Sequence, residues 1–138
     1  MAAFRPTATA TPGFSETLSC KPESVARARR LVETALKTWE LYEFADDVTM
    51  VASELVTNAV QHSKRRRLRI RVSRPAHNRV LVTVFDRSFA LPILRAPDEQ
   101  DTNGRGLLLV DVLSDRWGTH RRPFGKSVWA ELIAVEPS

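Results

Sequence analysis

Two segments in the first half of the chain repeat apolar residues at steps of three and four, the spacing that places them on one face of an α-helix. The first segment begins at Ser24, a residue type that we expect to cap the helix. Its apolar positions are Val25, Ala28, Leu31, Val32, Ala35, Leu36 and Trp39. The second segment runs from about Ala45 to His62, and its apolar positions are Val48, Val51, Ala52, Leu55, Val56 and Ala59. The pattern therefore predicts two long amphipathic helices.

After these helices, apolar and polar residues alternate, which is the period of a β-strand with one buried face. The first such strand alternates Leu68, Ile70 and Val72 with Arg67, Arg69 and Arg71. We expect these arginines to face water. The second strand carries Val80, Val82 and Val84 and ends at Asp86. A turn at residues 75–78 joins the two, so the pattern predicts a hairpin.

The remaining segments are less regular. Residues 14–20 predict a short first strand, in which Glu16 is the polar exception among the apolar positions. Residues 87–103 have no periodicity and are long for a connection in a compact domain, which is typical of a functional loop. A third helix opens at Gly104 and is expected to end near Trp117. Two further strands are predicted at residues 117–121 and 127–135.

This order of elements predicts an α+β fold, a two-layer sandwich with the helices packed on one face of a mixed, mostly antiparallel sheet. The other face of the sheet is expected to be wet. The chain has 138 residues, which suits one domain. We assign residues 1–13 to a flexible tail, because they are rich in Ala, Thr and Pro, and residues 14–138 to a single domain.

The composition indicates where in the cell we expect the protein. The only cysteine, Cys20, cannot form an internal disulfide, which favours a reducing, cytoplasmic location. No apolar run approaches the roughly 18 residues that span a bilayer, so we expect no membrane segment.

The charge is basic but modest. Lys and Arg total 21 against 16 for Asp and Glu, a formal net charge of +5, which is mild for a nucleic-acid binder. The main basic cluster comprises Lys64, Arg65, Arg66, Arg67, Arg69, Arg71 and Arg74. We interpret it first as a charged strand face and second as a docking surface. Nucleic-acid binding is the third interpretation and ranks well below the other two. No aromatic residue interleaves with these arginines along the chain, so bases lack a stacking platform, and we expect no direct nucleic-acid contact.

The second helix carries the first candidate chemistry. Glu54 and Asn58 are four residues apart and therefore share one face. A solvated helix face is the plain interpretation. Asn is a mediocre helix former, however, and a ligand role would explain its place in the middle of a helix. Carboxamide and carboxylate oxygens suit Mg²⁺, which usually bridges to phosphate oxygens.

Two further features point to a nucleotide. Asp86 shares the parity of the valines before it, so it should face the helices, where the exocyclic amine of a purine is a suitable hydrogen-bond donor. The alternative is an Asp that only begins a turn. Gly104, Arg105 and Gly106 open a helix, where backbone N–H groups and an arginine attract phosphate. Alone, a Gly-x-Gly also fits a simple turn.

Taken in order, these motifs resemble a known family. They are Glu54-Leu55-Val56-Thr57-Asn58-Ala59-Val60-Gln61-His62, a hairpin ending in Asp86, Gly104-Arg105-Gly106-Leu107, Trp117-Gly118 and Gly125-Lys126-Ser127-Val128-Trp129. The order is similar to the histidine-kinase-like ATP-binding fold of gyrase, sensor kinases and a heat-shock chaperone. The resemblance is nearest to the single-domain bacterial anti-sigma-factor serine kinases.

The resemblance implies a role for each matching residue. Asn58 would hold Mg²⁺, Glu54 would act as the base that prepares the attacking hydroxyl, and Asp86 would bind the adenine amine. His62 could reach the phosphates or ribose of ATP. The lid segment beside the phosphates would comprise Gly104, Arg105, Gly106 and Leu107. Ser127 stands where the family places a threonine that holds adenine through water, although its parity points outward, so that contact requires a bulge.

The family also implies an activity and partners. A protein of this type phosphorylates a serine on a small anti-anti-sigma protein and sequesters a sigma factor, with a homodimer as one arrangement. This chain departs from the family pattern after Asp86, where residues 87–90 contain no glycine, although Ser88 can still form a tight turn and offer a hydroxyl. That departure keeps open a second hypothesis, a non-catalytic or weakly nucleotide-binding interaction module of the same fold.

Overall fold

The chain forms three helices and a six-stranded sheet in the computed structural model, which describes residues 5–6, 11–62, 66–86, 103–123 and 125–134. The helices are α1 (Ser24–Thr38), α2 (Ala45–His62, preceded by a short 3₁₀ turn at Tyr42–Phe44) and α3 (Asn103–Leu113). The strands are β1 (Arg5–Pro6), β2 (Gly13–Ser19), β3 (Arg67–Ala76), β4 (Arg79–Asp86), β5 (Arg116–Arg122) and β6 (Gly125–Ile133).

The strand order is β1-β2-β3-β4-β6-β5, and every pair among the described strands is antiparallel. The α+β class is confirmed, with α1 and α2 packed against the sheet. We expected a mixed sheet, but no pair of neighbouring strands among the described ones is parallel. β1 lies within the predicted tail and pairs through Arg5 with Ser15 and through Pro6 with Phe14.

The core lies between the helices and one face of the sheet. The predicted apolar stripe of α2 is buried in full, and so are Ile70, Val72, Val80, Val82 and Val84 from β3 and β4. Period-two alternation in the strands and the helical period in α2 each present one apolar face, and the two faces bury each other. The exposed or partly exposed arginines of β3 lie on the opposite side of the sheet, as predicted.

Glu16 is buried on the helix-facing side of β2, opposite Ile70 in the register. Its carboxylate accepts a hydrogen bond and forms an ion pair with Arg27 of α1. The polar exception in the pattern of this strand is therefore a buried acid that the first helix neutralises.

Several element boundaries differ from the sequence prediction, and two of the differences have a visible physical reason. The N-cap of α1 is Glu23, and the hydroxyl of Ser24 instead donates to the carbonyl oxygen of Ser19 at 2.6 Å, which ties the helix start to β2. Helix α3 ends at Leu113, because Asp115 N–H already donates to the carbonyl of Glu131 at 2.8 Å, one residue before β5 begins. No helix in the described ranges is both long and apolar enough to cross a membrane.

Candidate nucleotide site

Helix α2 carries Glu54 and Asn58 along the edge of its buried stripe. Both side chains are partly buried, whereas Asp47 and Gln61, which share their side of the helix, are exposed. A fully solvated helix face would leave all four in water. The two middle residues are instead partly covered. The helix that carries them packs against β4, β6, α1 and α3.

Asp86 ends β4 on the helix-facing side of the sheet. Only 3% of its surface is exposed, and it continues the line of buried valines on this strand. The predicted orientation is therefore confirmed. A carboxylate placed there is costly unless it accepts hydrogen bonds, which a purine amine could supply.

The sheet places Lys126, a residue to which the sequence pattern assigns no role, beside Asp86. In the antiparallel register Asp86 is opposite Leu68 of β3 on one side and Lys126 of β6 on the other. Opposite residues of such a pair share a face. Lys126 thus offers a cation on the same side of the sheet as Asp86, and the burial of Ala130 and Leu132, which have its parity, is the signal that identifies it.

Ser127 is not brought together with Asp86. It is opposite Phe85, on the outer face of the sheet, and its hydroxyl accepts a hydrogen bond from Nε of Arg122 at 3.2 Å. The bulge that would turn it toward the helices is missing, because the register between β4 and β6 runs without a shift from Arg79 to Asp86. The water-mediated adenine contact implied for Ser127 therefore has no support from this geometry.

The glycine segment lies in the first turn of α3. The helix begins at Asn103, so Gly104, Arg105 and Gly106 fall where backbone N–H groups have no partner within the helix. Leu107 follows and is partly buried. Because α3 packs against α2, the elements that carry the phosphate and magnesium candidates are neighbours.

Two further predictions remain untested, those for His62 and Ser88. His62 is the last residue of α2 and is partly buried, and its contact with a nucleotide stays a prediction. Ser88 lies outside the described residues, so its role stays a prediction.

The donor set fits a magnesium nucleotide. Asn58 supplies a carboxamide oxygen and Glu54 a carboxylate on the same helix face, which are oxygen ligands of the type that Mg²⁺ accepts. Asp86 supplies a buried acceptor on the sheet that α2 covers. The two layers thus present an acceptor for a base and an oxygen ligand for a metal at one interface.

Comparison with known proteins agrees with this arrangement. A search of the curated proteins found no match. Residues 18–132 match the family model of the histidine kinase-like ATPase domain, which covers most of the chain and all the described site residues. A buried Asp at the end of β4, the Glu54 and Asn58 face of α2 and the glycine-bearing start of α3 all fall inside the matched range. The chain therefore belongs to the histidine kinase-like ATPase domain family.

Proposed function

We propose that this protein is an ATP- and Mg²⁺-dependent serine/threonine protein kinase of the anti-sigma-factor type. It phosphorylates a serine on a small anti-anti-sigma protein, sequesters a sigma factor and acts in the bacterial cytoplasm. The observation that carries the proposal is the buried Asp86 on the helix face of β4, covered by the helix that bears Glu54 and Asn58. The family supports ATP as the nucleotide, and the resemblance of the ordered motifs supports the partners.

Each residue of the site has one task. The carboxylate of Asp86 accepts a hydrogen bond from the adenine amine, and the N–H groups at the start of α3 bind phosphate oxygens. Asn58 would hold Mg²⁺ through its amide oxygen. When bound, Mg²⁺ neutralises charge on the phosphates and fixes their orientation. Lys126, beside Asp86 in the register, adds a positive charge to the nucleotide side of the sheet.

Glu54 acts on the incoming serine. Its carboxylate accepts the hydroxyl proton while the serine oxygen bonds to the γ-phosphorus. The bond from that phosphorus to the bridging oxygen breaks, and ADP leaves with the electron pair. Because the transition state is stabilised mainly by position and charge, the task of the chain is to align the hydroxyl with the phosphate and to exclude water.

Nucleotide binding is the first test. The purified chain is titrated with a fluorescent ATP analogue, with and without Mg²⁺, and we expect saturable binding that Mg²⁺ strengthens. The Asn58→Ala variant should lose most of the strengthening by Mg²⁺ and keep the metal-independent part. Absence of saturable binding at millimolar nucleotide would overturn the proposal.

Phosphate transfer is the second test. Partner proteins are recovered from the source cell with the chain as bait and incubated with ATP labelled on the γ-phosphate. Glu54→Gln should abolish labelling of serine and leave nucleotide binding intact. Glu33→Gln, which removes an exposed glutamate from α1, is the matched control and should behave as the wild type. Loss of binding and transfer together in Glu54→Gln would contradict the role of Glu54 as base.

A non-catalytic module is the second candidate, and one sequence feature favours it. The family places glycines after the strand Asp, and residues 87–90 contain none, so the backbone approaches a base less freely. This candidate predicts a partner that is bound but never labelled. Retained binding to the recovered partner without phosphoserine would select it.

A further inference from the structure

The face of the sheet that points away from the helices carries arginines and aromatic rings side by side. We call it the outer face. It is formed by alternate residues of β3, β4, β6 and β5, and the members used below are Arg67, Arg69, Arg71, Phe85, Trp129, His120 and Arg122. None of them takes part in the nucleotide site, which lies on the opposite side of the same strands.

The outer face is positively charged. Arg69 is exposed and Arg71 partly so, two residues apart on β3. Among the described strand residues of this face the single acid is Glu131, which is buried and forms ion pairs with Arg116 at 2.8 Å and with Arg79 at 3.8 Å. Its charge is thus compensated locally, and it does not offset the arginines of β3.

One aromatic ring lies directly beside these arginines. Phe85 is opposite Arg69 in the register, and both face outward. The guanidinium carbon of Arg122 lies 5.3 Å from the centroid of the Phe85 ring, while its Nε donates to the hydroxyl of Ser127 at 3.2 Å. A planar cation is therefore held over an aromatic ring by two contacts, with its outer side exposed to solvent.

A second pair of stacked planar groups, Trp129 and His120, lies on β6 and β5. We call this pair and the pair of Arg122 with Phe85 the flat pairs. The indole of Trp129 rests on the backbone of Gly118, where an added Cβ would come within 3.1 Å of Cζ2. His120 stacks with Trp129 at 6.2 Å between ring centroids and 21° between planes, and its own ring is exposed. Trp129 is opposite Thr83, and Thr83 is in turn opposite Arg71. Phe85 thus shares a row of the sheet with Arg69, and Trp129 shares one with Arg71.

We propose that the outer face binds single-stranded nucleic acid. Unpaired bases stack on aromatic rings and on arginine planes, while phosphates pair with neighbouring basic groups, and an open sheet with rings on its surface is one way proteins present both. The expectation of no nucleic-acid contact rested on the absence of aromatic residues among the arginines along the chain. The sheet removes that premise, because Phe85 is opposite Arg69 and Trp129 lies in the same row as Arg71, two strands away.

An acidic peptide is the competing occupant, and the rings argue against it. Charge pairing with carboxylates would need only the arginines, whereas the two flat pairs supply area for stacking. The proposal does not depend on the kinase function, because it uses the other side of the sheet.

The test measures fluorescence anisotropy of labelled 12-nucleotide single strands, in DNA and RNA arms, with the full chain at low salt. A duplex of the same sequence is run in parallel. We expect saturable binding to single strands, weaker binding to the duplex, and a fall in log K with log salt. The RNA and DNA arms show which backbone is preferred. Binding to neither single strand, or equal binding to the duplex, would overturn the proposal.

Variants locate the interaction. Phe85→Leu with Trp129→Leu should weaken single-strand binding about tenfold or more. Arg67→Ala with Arg69→Ala should lower the slope of log K against log salt by about 1.4, since each lost phosphate contact contributes about 0.7. The charge-matched control is Arg29→Ala with Arg30→Ala, two exposed arginines of α1, which should keep the wild-type slope.

Two safeguards keep the result decisive. Titration with the fluorescent ATP analogue on the same variants reports folding of the other face, and wild-type ATP binding is expected. If the Trp129 variant does not fold, His120→Ala replaces it, since that ring is exposed, and should weaken binding several-fold. Unchanged affinity in folded ring variants, or displacement of the oligonucleotide by equimolar polyglutamate, would overturn the proposal in favour of an acidic partner.

Discussion

The two faces of the sheet are built from alternate residues of the same strands, yet their chemistry is different. On β4 the helix face presents Val80, Val82 and Val84, none more than 1% exposed, and ends in the buried Asp86. The adjacent outer residue, Phe85, stands among arginines. Because successive side chains of a strand point to opposite faces, a slip of one residue would exchange the two sets. The strand register is therefore what keeps a nucleotide acceptor on one side and a basic, aromatic surface on the other.

The largest expected difference between the faces is in stability. Ile70→Ala empties a fully buried position on the helix face and should lower the free energy of unfolding by about 2–5 kcal/mol. Arg69→Ala, its exposed neighbour on the outer face, should change it by no more than about 0.5 kcal/mol. Urea denaturation followed by circular dichroism measures both. Equal losses would mean that the outer face is packed as tightly as the core.

The second difference is in nucleotide binding. Asp86→Asn keeps the size of the side chain but replaces the carboxylate that accepts a hydrogen bond from the adenine amine. It should weaken binding of the fluorescent ATP analogue by about 1.5–3 kcal/mol. Phe85→Leu changes the next residue on the other face and should leave the affinity as it is. A larger effect from Phe85 than from Asp86 would reverse the assignment of the two faces.

The third prediction concerns the stability that the buried acid of β2 and its ion pair give to the helix face. The side chain of Glu16 is 4% exposed and that of its partner Arg27 is 51% exposed. Arg27→Ala should destabilise the fold by about 1–3 kcal/mol, because it leaves a buried carboxylate without its cation. Arg29→Ala on the same helix is the control. Adding Glu16→Met to Arg27→Ala should restore stability, since an apolar side chain can replace a buried ion pair. If stability did not recover, the destabilisation by Arg27→Ala would not come from the unpaired carboxylate.

The smallest effect belongs to the ion pair of the outer face. Arg116 is 66% exposed and donates two hydrogen bonds to Oε1 of Glu131, at 2.8 and 3.1 Å. Arg116→Ala should cost less than about 1 kcal/mol, because water replaces much of the interaction and Arg79 remains nearby. Thermal unfolding at low and high salt measures it, and the difference from wild type should shrink as salt rises. A loss comparable with that of Arg27→Ala would mean that the two faces hold their acids alike.

Local periodicity alone determined α1, α2, the hairpin of β3 and β4, and the orientation of Asp86. α2 was predicted at its observed bounds because its apolar stripe repeats at the helical period over many residues. On β4, one face was predicted from the shared parity of Val80, Val82, Val84 and Asp86. The pairing of Glu54 and Asn58 on one face follows from the same geometry. These features depend on neighbours in the chain, so the sequence contains them directly.

Tertiary structure decided the features that depend on which strands are neighbours. Ser127 is opposite Phe85, Lys126 is opposite Asp86, and Arg122 covers Phe85 only because β6 lies between β4 and β5. The cap of α1 changed for a similar reason, since the Ser24 hydroxyl found a carbonyl of β2. A residue pattern specifies the face on which a side chain lies, but the partner across the strand is fixed by register and topology, which arise only when the whole sheet assembles.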